Sequence, residues 1–154
     1  MDILSDGEHE QAYEQAKARC LRILNARDRT SHELLERLDR DGYQPEIAES
    51  VVARLIEIGL VDDERYTEFF LLEAQASHKG WYRVKRELEQ KGIDVESLAP
   101  PDFDEELQRA LAAAERLVVL DQRGRERALR RLVSKGFSYE IALKVLDTKK
   151  GNAE

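Results

Sequence analysis

The stretch Thr30–Tyr66, TSHELLERLDRDGYQPEIAESVVARLIEIGLVDDERY, carries the clearest structural signals in the chain. Thr30 and Glu33 have the spacing of a capping box, which predicts that a helix begins there. Gly42 can adopt the left-handed conformation that ends a helix, and Pro45 suits the first turn of the next one. The stretch is therefore predicted to form helices at about 31–41 and 45–58, with a third starting near Asp63.

Three ten-residue segments superpose without gaps: LLERLDRDGY (34–43), VKRELEQKGI (84–93) and ALRRLVSKGF (128–137). Each has an apolar residue eight positions before its glycine, a leucine four before it and a large apolar residue after it. An apolar helix resumes five residues after the first and third glycines, at Ile47 and Ile141. The middle segment continues as DVESLAPP, so we expect its following helix to be stunted or displaced. Because each unit is too small to bury its own core, we predict that the units stack on neighbours or on connecting helices.

Apolar residues at helical spacing predict that most of the remaining chain is helical as well. No segment alternates apolar and polar residues for long enough to indicate a strand. We therefore predict an all-α protein. The further helices are expected at about 10–26, from Asp63, from Trp81 to Gly92, as one turn at 93–98, from Asp102 through Val118, and on either side of Gly136, with a loop at 121–124.

The composition bounds the class of protein. The 154 residues fit one domain or a short array, and 37% charged residues with few glycines and prolines favour amphipathic, exposed helices. No apolar run approaches the length of a membrane span, and the acidic beginning is unlike a signal peptide, so we expect a soluble cytoplasmic protein. Cys20 is the only cysteine, which excludes an intrachain disulfide, and its apolar neighbours predict a buried structural thiol.

The net charge of −7 conceals two basic islands in an acidic chain. On a helical wheel the cations of the second and third repeats lie opposite the apolar residues, which predicts two equivalent cationic faces. They are interpreted as contacts for phosphates or for acidic patches of a protein partner, against the simpler alternative of a solvated face. The first repeat keeps Arg37 and Arg40 beside several carboxylates and is predicted to bind phosphate poorly. The candidate binding residues are Lys79, Arg83, Lys85, Arg86, Lys91, Arg125, Arg127, Arg130, Arg131 and Lys135.

No catalytic constellation is present in the sequence. The histidines are far apart and have no metal-ligand partner at helical spacing, and no phosphate-binding loop motif occurs. The pair Asp62-Asp63 is explained by helix capping and by the positive end of the helix dipole. We therefore expect neither enzymatic activity nor a cofactor or metal.

With these motifs in view, the chain resembles the RecX family of bacterial regulators of the RecA recombinase. The residues that carry the resemblance are the runs at Arg27–Leu38, Gly59–Tyr66, Arg86–Ile93 and Gly136–Ile141, within a match over about 12–147. The resemblance implies three tandem three-helix repeats in an elongated, curved array. It implies a non-enzymatic protein that binds along the RecA–single-strand DNA filament. It also implies inhibition of filament growth, ATPase, strand exchange and coprotease activity, in recombination, DNA repair and the SOS response.

The resulting organisation is an N-terminal helix with the first repeat at 9–60, a second repeat at 61–101 and a third at 102–149, between disordered ends at 1–8 and 150–154. A structural joint is expected to set the angle between repeats. The partners expected are the RecA filament and its single-strand DNA, with weak binding to DNA alone, no membrane and a monomeric state. The alternatives are a stand-alone helical DNA-binding module and a scaffold for another partner. The joint residues are Gly59, Leu60, Asp62, Asp63, Arg65 and Tyr66.

Overall fold

The computed structural model describes residues 3–152, and within them the chain is helical without a strand, which confirms the all-α prediction. None of the described helices is both long enough and apolar enough to cross a bilayer. The helices are α1 (Asp6–Ala26), α2 (Ser31–Arg40), α3 (Pro45–Glu57), α4 (Asp63–Ala76), α5 (Trp81–Gln90), α6 (Phe103–Ala113), α7 (Gln122–Ser134) and α8 (Tyr139–Asn152), with a 3₁₀ turn at Val95–Ser97.

The helices group into two compact units. Among the described residues, the first unit contains 3–68 together with Lys91–Ile93, and the second contains Phe69–Gln90 together with 94–152. In the first unit α1 and α2 both pack on α3. Its core consists of Ala16, Cys20, Leu34, Leu38, Ile47, Ala48, Val51, Val52, Leu55 and Val61.

In the second unit α6 and α7 both pack on α8, which repeats the arrangement of the first three helices. Phe137, at the end of α7, is fully buried, as are Leu132 and Val145. Burying an aromatic side chain of this size contributes roughly 2–3 kcal/mol, so Phe137 anchors the α7–α8 turn. The core also contains Ala110, Ala114, Ile141 and Ala142.

The three-fold repetition predicted from the sequence is confirmed by burial and backbone conformation. The positions eight and four residues before the repeat glycine are buried in every copy. The glycines themselves all have positive φ, at 89° for Gly42, 80° for Gly92 and 104° for Gly136. In the first copy the Tyr43 N–H donates to the Leu38 carbonyl oxygen, and in the third the Phe137 N–H donates to that of Leu132. These are the bonds of a Schellman ending, which the glycine makes possible.

The middle copy differs from the others, as its proline-rich continuation predicts. Only the 3₁₀ turn Val95–Ser97 follows its glycine, where the first and third copies have α3 and α8. Asp94 caps this turn by accepting the Glu96 N–H at 3.1 Å. Val95 is buried, so the turn still contributes one apolar side chain to the unit.

Three predicted helix boundaries were wrong. Helix α1 begins at Asp6 instead of about Glu10, because the Ser5 hydroxyl accepts the Glu8 N–H and caps the helix one turn earlier. Helix α6 ends at Ala113 and does not continue through Val118, because the chain turns at residues 114–116, where the Ala114 N–H donates to the carbonyl oxygens of Ala110 and Leu111.

The predicted loop at 121–124 is instead the start of α7, where the Asp121 carboxylate accepts the Gly124 N–H at 2.7 Å. At the other end, α8 extends to Asn152, into the segment for which a disordered tail is expected. The rest of that tail, and the first two residues of the expected disordered beginning, lie outside the described residues.

The start of α2 is a crowded junction within the first unit. The Thr30 hydroxyl accepts the Glu33 N–H, and Glu33 accepts the Thr30 N–H, which confirms the predicted capping box. The same hydroxyl donates to the carbonyl oxygen of Lys91 at 2.7 Å. The Ser31 N–H and hydroxyl donate to the two carboxylate oxygens of Asp63, at 2.8 and 2.6 Å. The free N–H groups at this helix start are therefore satisfied partly by the local capping box and partly by Asp63, which is 32 residues away in sequence.

The start of α5 forms the same kind of junction within the second unit. The Trp81 N–H donates to the buried carboxylate of Glu106 at 2.9 Å, as Ser31 does to Asp63. The Gly80 N–H donates to the Lys135 carbonyl oxygen at 2.8 Å, and the Tyr82 N–H to that of Gly136 at 3.0 Å. In both junctions the start of a helix contacts two groups: a backbone carbonyl next to the glycine of another repeat, and a carboxylate from a later helix.

Candidate functional site

The best-defined cationic surface lies on α7. Arg127, Arg130 and Arg131 are exposed, and none makes an ion pair or hydrogen bond within residues 3–152. Leu132 and Ala128 turn into the core from the opposite side of the helix. Three guanidinium groups therefore face solvent with their donors unused, which is the state that a phosphate or carboxylate ligand requires.

Arg123 extends the same surface by one turn and was missed by the sequence interpretation. It is exposed, and it precedes Arg127 by four residues, so the two side chains lie on one face of α7. The reason for the omission is that residues 121–124 were expected to form a loop. Asp121 is the sequence signal that could have identified Arg123, because an N-cap at Asp121 places Arg123 inside the first turn of α7. We call the set Arg123, Arg127, Arg130 and Arg131 the α7 arginine face.

The equivalent face of α5 is partly neutralised by its own carboxylate Glu87. The Lys79 ammonium and the Arg83 guanidinium each lie 3.0 Å from an oxygen of Glu87. Partial burial acts to raise the pKa of Glu87, but the hydrogen bonds from Lys79 and Arg83 outweigh it, so its pKa lies below the usual value. Lys79 also precedes α5 and is not part of the helical face on which the sequence pattern placed it.

The other predicted cations of this region have varied surroundings. Arg86 is exposed and has no ion pair within the described part of the chain. Lys85 lies over the ring of Tyr82, with 5.6 Å from its nitrogen to the ring centroid. Lys91 belongs to the first unit, where its ammonium lies 3.9 Å from Glu33 and 5.9 Å from the ring centroid of Tyr66. The structure therefore leaves Arg86 as the freest cation of α5.

Arg125 and Lys135, also predicted as binding residues, serve the packing of the third repeat. Arg125 pairs with Asp147 of α8 at 3.0 Å. The carbonyl group of Lys135 accepts the Gly80 N–H in the junction at the start of α5, and its side chain is half-buried.

The predicted joint residues lie together around the start of α4. The Asp62 carboxylate accepts the Arg65 N–H at 3.0 Å, and the Arg65 guanidinium donates to the Gly59 carbonyl oxygen at 3.5 Å. Leu60 is 44% exposed, while its neighbour Val61 is buried, so Val61 is the residue that anchors this turn. Asp63 caps α2 as described above, a role that its position in the first turn of α4 did not predict.

Among the described residues, neither Cys20 nor the carboxylates form a reactive centre or a metal site. Cys20 is fully buried in the first core, and burial raises the pKa of its thiol from 9.0 to about 11. Such a thiol is a poor nucleophile at neutral pH. Within residues 3–152 no three carboxylate, histidine or cysteine side chains are placed to hold a metal ion.

Comparison with protein families finds two successive matches. Residues 16–55 match the model described as RecX, first three-helix domain, and residues 62–97 match RecX, second three-helix domain. The first matched range ends within α3, and the second ends with the 3₁₀ turn.

Comparison with characterised proteins and solved structures agrees with the family models. The regulatory protein RecX of Mycobacterium sp. (strain JLS) is 37% identical over 151 residues, covering 86% of this chain and 80% of that protein. That of Mycolicibacterium smegmatis is 35% identical, covering 90% and 81%. The crystal structure of RecX from Lactobacillus salivarius has a TM-score of 0.75 at 21% identity, covering 90% of this chain and 97% of that one. This last likeness shows a shared fold.

Proposed function

The chain belongs to the RecX family of regulatory proteins, and from that premise we propose that it binds RecA–single-strand DNA filaments and inhibits them without being an enzyme. In this proposal a body built of tandem helical repeats lies against the filament and bridges successive RecA protomers. It blocks subunit addition and thereby lowers ATPase, strand-exchange and coprotease activity. The affinity comes from many modest contacts, as multivalent binding allows.

The observation that supports this proposal is the α7 arginine face. Four exposed guanidinium groups on one helix form a surface suited to phosphate oxygens or to carboxylates of a protein partner. Arg86 adds an equivalent cation on α5. Because Lys79 and Arg83 are held by Glu87, the proposal assigns the larger share of binding to the third repeat.

The test is inhibition of the single-strand-DNA-dependent ATPase of RecA. We expect the wild-type chain to inhibit at stoichiometric to moderate excess, and the Arg127→Glu/Arg130→Glu variant to inhibit at least about tenfold less well, since each lost charged contact is worth 1.5–3 kcal/mol. Arg54→Glu/Lys144→Glu is the matched control, because both residues are exposed, lie outside this face and change the net charge equally. Absence of inhibition by the wild-type chain would refute the proposal.

The alternative is a stand-alone helical DNA-binding module, which the same arginines would also suit. A salt titration of binding to single-strand DNA separates the two functions. Tight binding with a steep fall of log K against log salt supports the module. Weak binding that becomes strong once RecA coats the strand supports the filament regulator.

The remaining parts of the proposal follow the sequence predictions. The protein acts in the cytoplasm as a monomer, in recombination, DNA repair and the SOS response. The repeats are proposed at 9–60, 61–101 and 102–149, with the joint at Gly59–Tyr66 setting the angle between the first two.

A further inference from the structure

A cleft with a volume of about 360 Å³ lies between α1 and α2 in the first unit. It is open because α1 and α2 both pack on α3, which leaves the groove between them unfilled. Its lining includes five arginines, contributed by α1, by α2 and by the connection between them. They are Arg19, Arg22, Arg29, Arg37 and Arg40.

The carboxylates at this cleft are too few to neutralise the arginines. Only Glu33 and Glu36 line it, and Glu36 is paired with His32 at 2.9 Å. Asp41, at the end of α2, lies 3.1 Å from Arg19 and 3.8 Å from Arg37. The cleft therefore carries net positive charge inside a segment whose overall charge is acidic.

Three of the arginines have N–H donors without a close acceptor among the described residues. Arg22 and Arg40 are exposed and have no ion pair within residues 3–152. Arg29 reaches Glu33 only at 3.9 Å, and its Nε atom is buried with no hydrogen-bond partner among the described residues. Native proteins rarely leave a buried donor without a partner, so the Nε atom of Arg29 marks a place beside the cleft where a hydrogen-bond acceptor is lacking.

The arrangement fits phosphate better than carboxylate. The arginines belong to both walls of the cleft and to the connection between them, so they border one volume from different sides. A phosphate group offers several oxygens in a tetrahedral arrangement and can accept from guanidinium groups on different sides at once, whereas the lone pairs of a carboxylate lie in one plane.

We infer that the α1–α2 cleft is a phosphate-binding site, which takes phosphate groups of a nucleic-acid backbone or of a free polyphosphate. This site is separate from the α7 arginine face and does not depend on it. It reverses the sequence prediction that the first repeat binds phosphate poorly. That prediction considered Arg37 and Arg40 beside the carboxylates of α2 alone, and α1 supplies the arginines that change the balance.

The experiment uses the full chain and the Arg22→Ala/Arg40→Ala variant. Neither side chain has an ion-pair or hydrogen-bond partner among the described residues, so we expect the variant to fold with unchanged far-UV circular dichroism. Arg54→Ala/Lys144→Ala removes the same charge outside the cleft and is the control. The phosphate probes are a fluorescein-labelled oligo-dT, measured by anisotropy, and inorganic pyrophosphate, measured by calorimetry, and a fluorescein-labelled poly-glutamate is the carboxylate probe, all at low salt.

We expect the cleft variant to bind at least one phosphate probe about tenfold more weakly than the control variant does. Loss with oligo-dT alone identifies the nucleic-acid backbone as the source of the phosphate, and loss with pyrophosphate identifies a free polyphosphate. Equal binding of both probes by the cleft and control variants overturns the inference. So does weakened binding of poly-glutamate alone, because that assigns the cleft to an acidic protein segment.

Discussion

The junction at the start of α5 makes a sharp prediction about two glycines that are equivalent in sequence. Gly136 and Gly42 both follow the second helix of a repeat and both have φ in the left-handed region, at 104° and 89°. A methyl group added at Gly42 would have no described heavy atom within 4 Å apart from those of its own residue and its chain neighbours. One added at Gly136 would lie 2.5 Å from Arg83 Cβ, 2.6 Å from the Arg83 nitrogen and 2.8 Å from the Gly80 carbonyl oxygen. Alanine substitution therefore isolates the effect of the close approach.

The magnitude follows from the geometry. Placing alanine in the left-handed region costs about 1–2 kcal/mol at either position. At Gly136 the neighbours must also move by about 1 Å to restore contact near 3.5 Å, and overpacking of this kind costs roughly 1–3 kcal/mol. The shift would weaken the hydrogen bonds from Gly80 and Tyr82, each worth about 1 kcal/mol. We therefore expect Gly136→Ala to lower the free energy of unfolding by at least about 2 kcal/mol more than Gly42→Ala.

Urea denaturation followed by two signals measures this difference. Trp81 is the only tryptophan, and its backbone N–H donates to Glu106 in the same junction, so Trp81 fluorescence reports unfolding there. Far-UV circular dichroism reports all the helices. Gly136→Ala should shift the fluorescence transition to much lower urea than Gly42→Ala does. Equal shifts of the fluorescence transition in the two variants would refute the argument that this junction is closely packed.

Three further predictions concern buried or paired groups. Glu106→Ala should lower the free energy of unfolding by about 1–3 kcal/mol, because it leaves the Trp81 backbone N–H without an acceptor. Glu106→Gln should lower it less, because its amide oxygen can still accept. Equal shifts of the Trp81 fluorescence transition in urea for the two variants would contradict this. The pKa of Glu87 is lowered in the folded state, so the ionised carboxylate stabilises the fold above its unfolded pKa, and this stabilisation is lost as the pH falls. The difference in free energy of unfolding between wild type and Glu87→Gln, measured in urea, should therefore shrink below about pH 4. A difference that stays constant with pH would contradict the pairing with Arg83. The pKa of Cys20, raised to about 11, keeps the thiol protonated, so an aromatic disulfide reagent at neutral pH should react slowly with the native chain and rapidly in urea; rapid native reaction would contradict its burial.

The parts of the fold that the sequence predicts are those with local causes. The capping box at Thr30, the glycine ends of the repeats and the short continuation of the middle copy all depend on residues within about one helical turn of each other. The early end of α6 was not predicted, because the apolar spacing from Leu107 to Val118 favours a longer helix.

The charges of the candidate site were harder to predict, because pairing depends on contacts between elements. Arg83 and Glu87 are four residues apart, a spacing that could have revealed their ion pair. The addition of Lys79 to the same carboxylate needs the bend before α5 and has no such signal. Likewise, the capping of α2 by Asp63 and of α5 by Glu106 joins residues on different helices, which helical wheels treat one at a time.

The crowded start of α2 also has a consequence for the order in which the chain can fold as it is made. The partner of Ser31, Asp63, is 32 residues further along, whereas the partner of Thr30, Lys91, is 61 residues further along. At a synthesis rate of about 5–20 residues per second, Lys91 follows Thr30 by roughly 3–12 s, which is far longer than a helix takes to form. During synthesis the carboxylate of Asp63 therefore becomes available to α2 before the carbonyl group of Lys91 does, and the junction can be completed only after the start of the second repeat has been made.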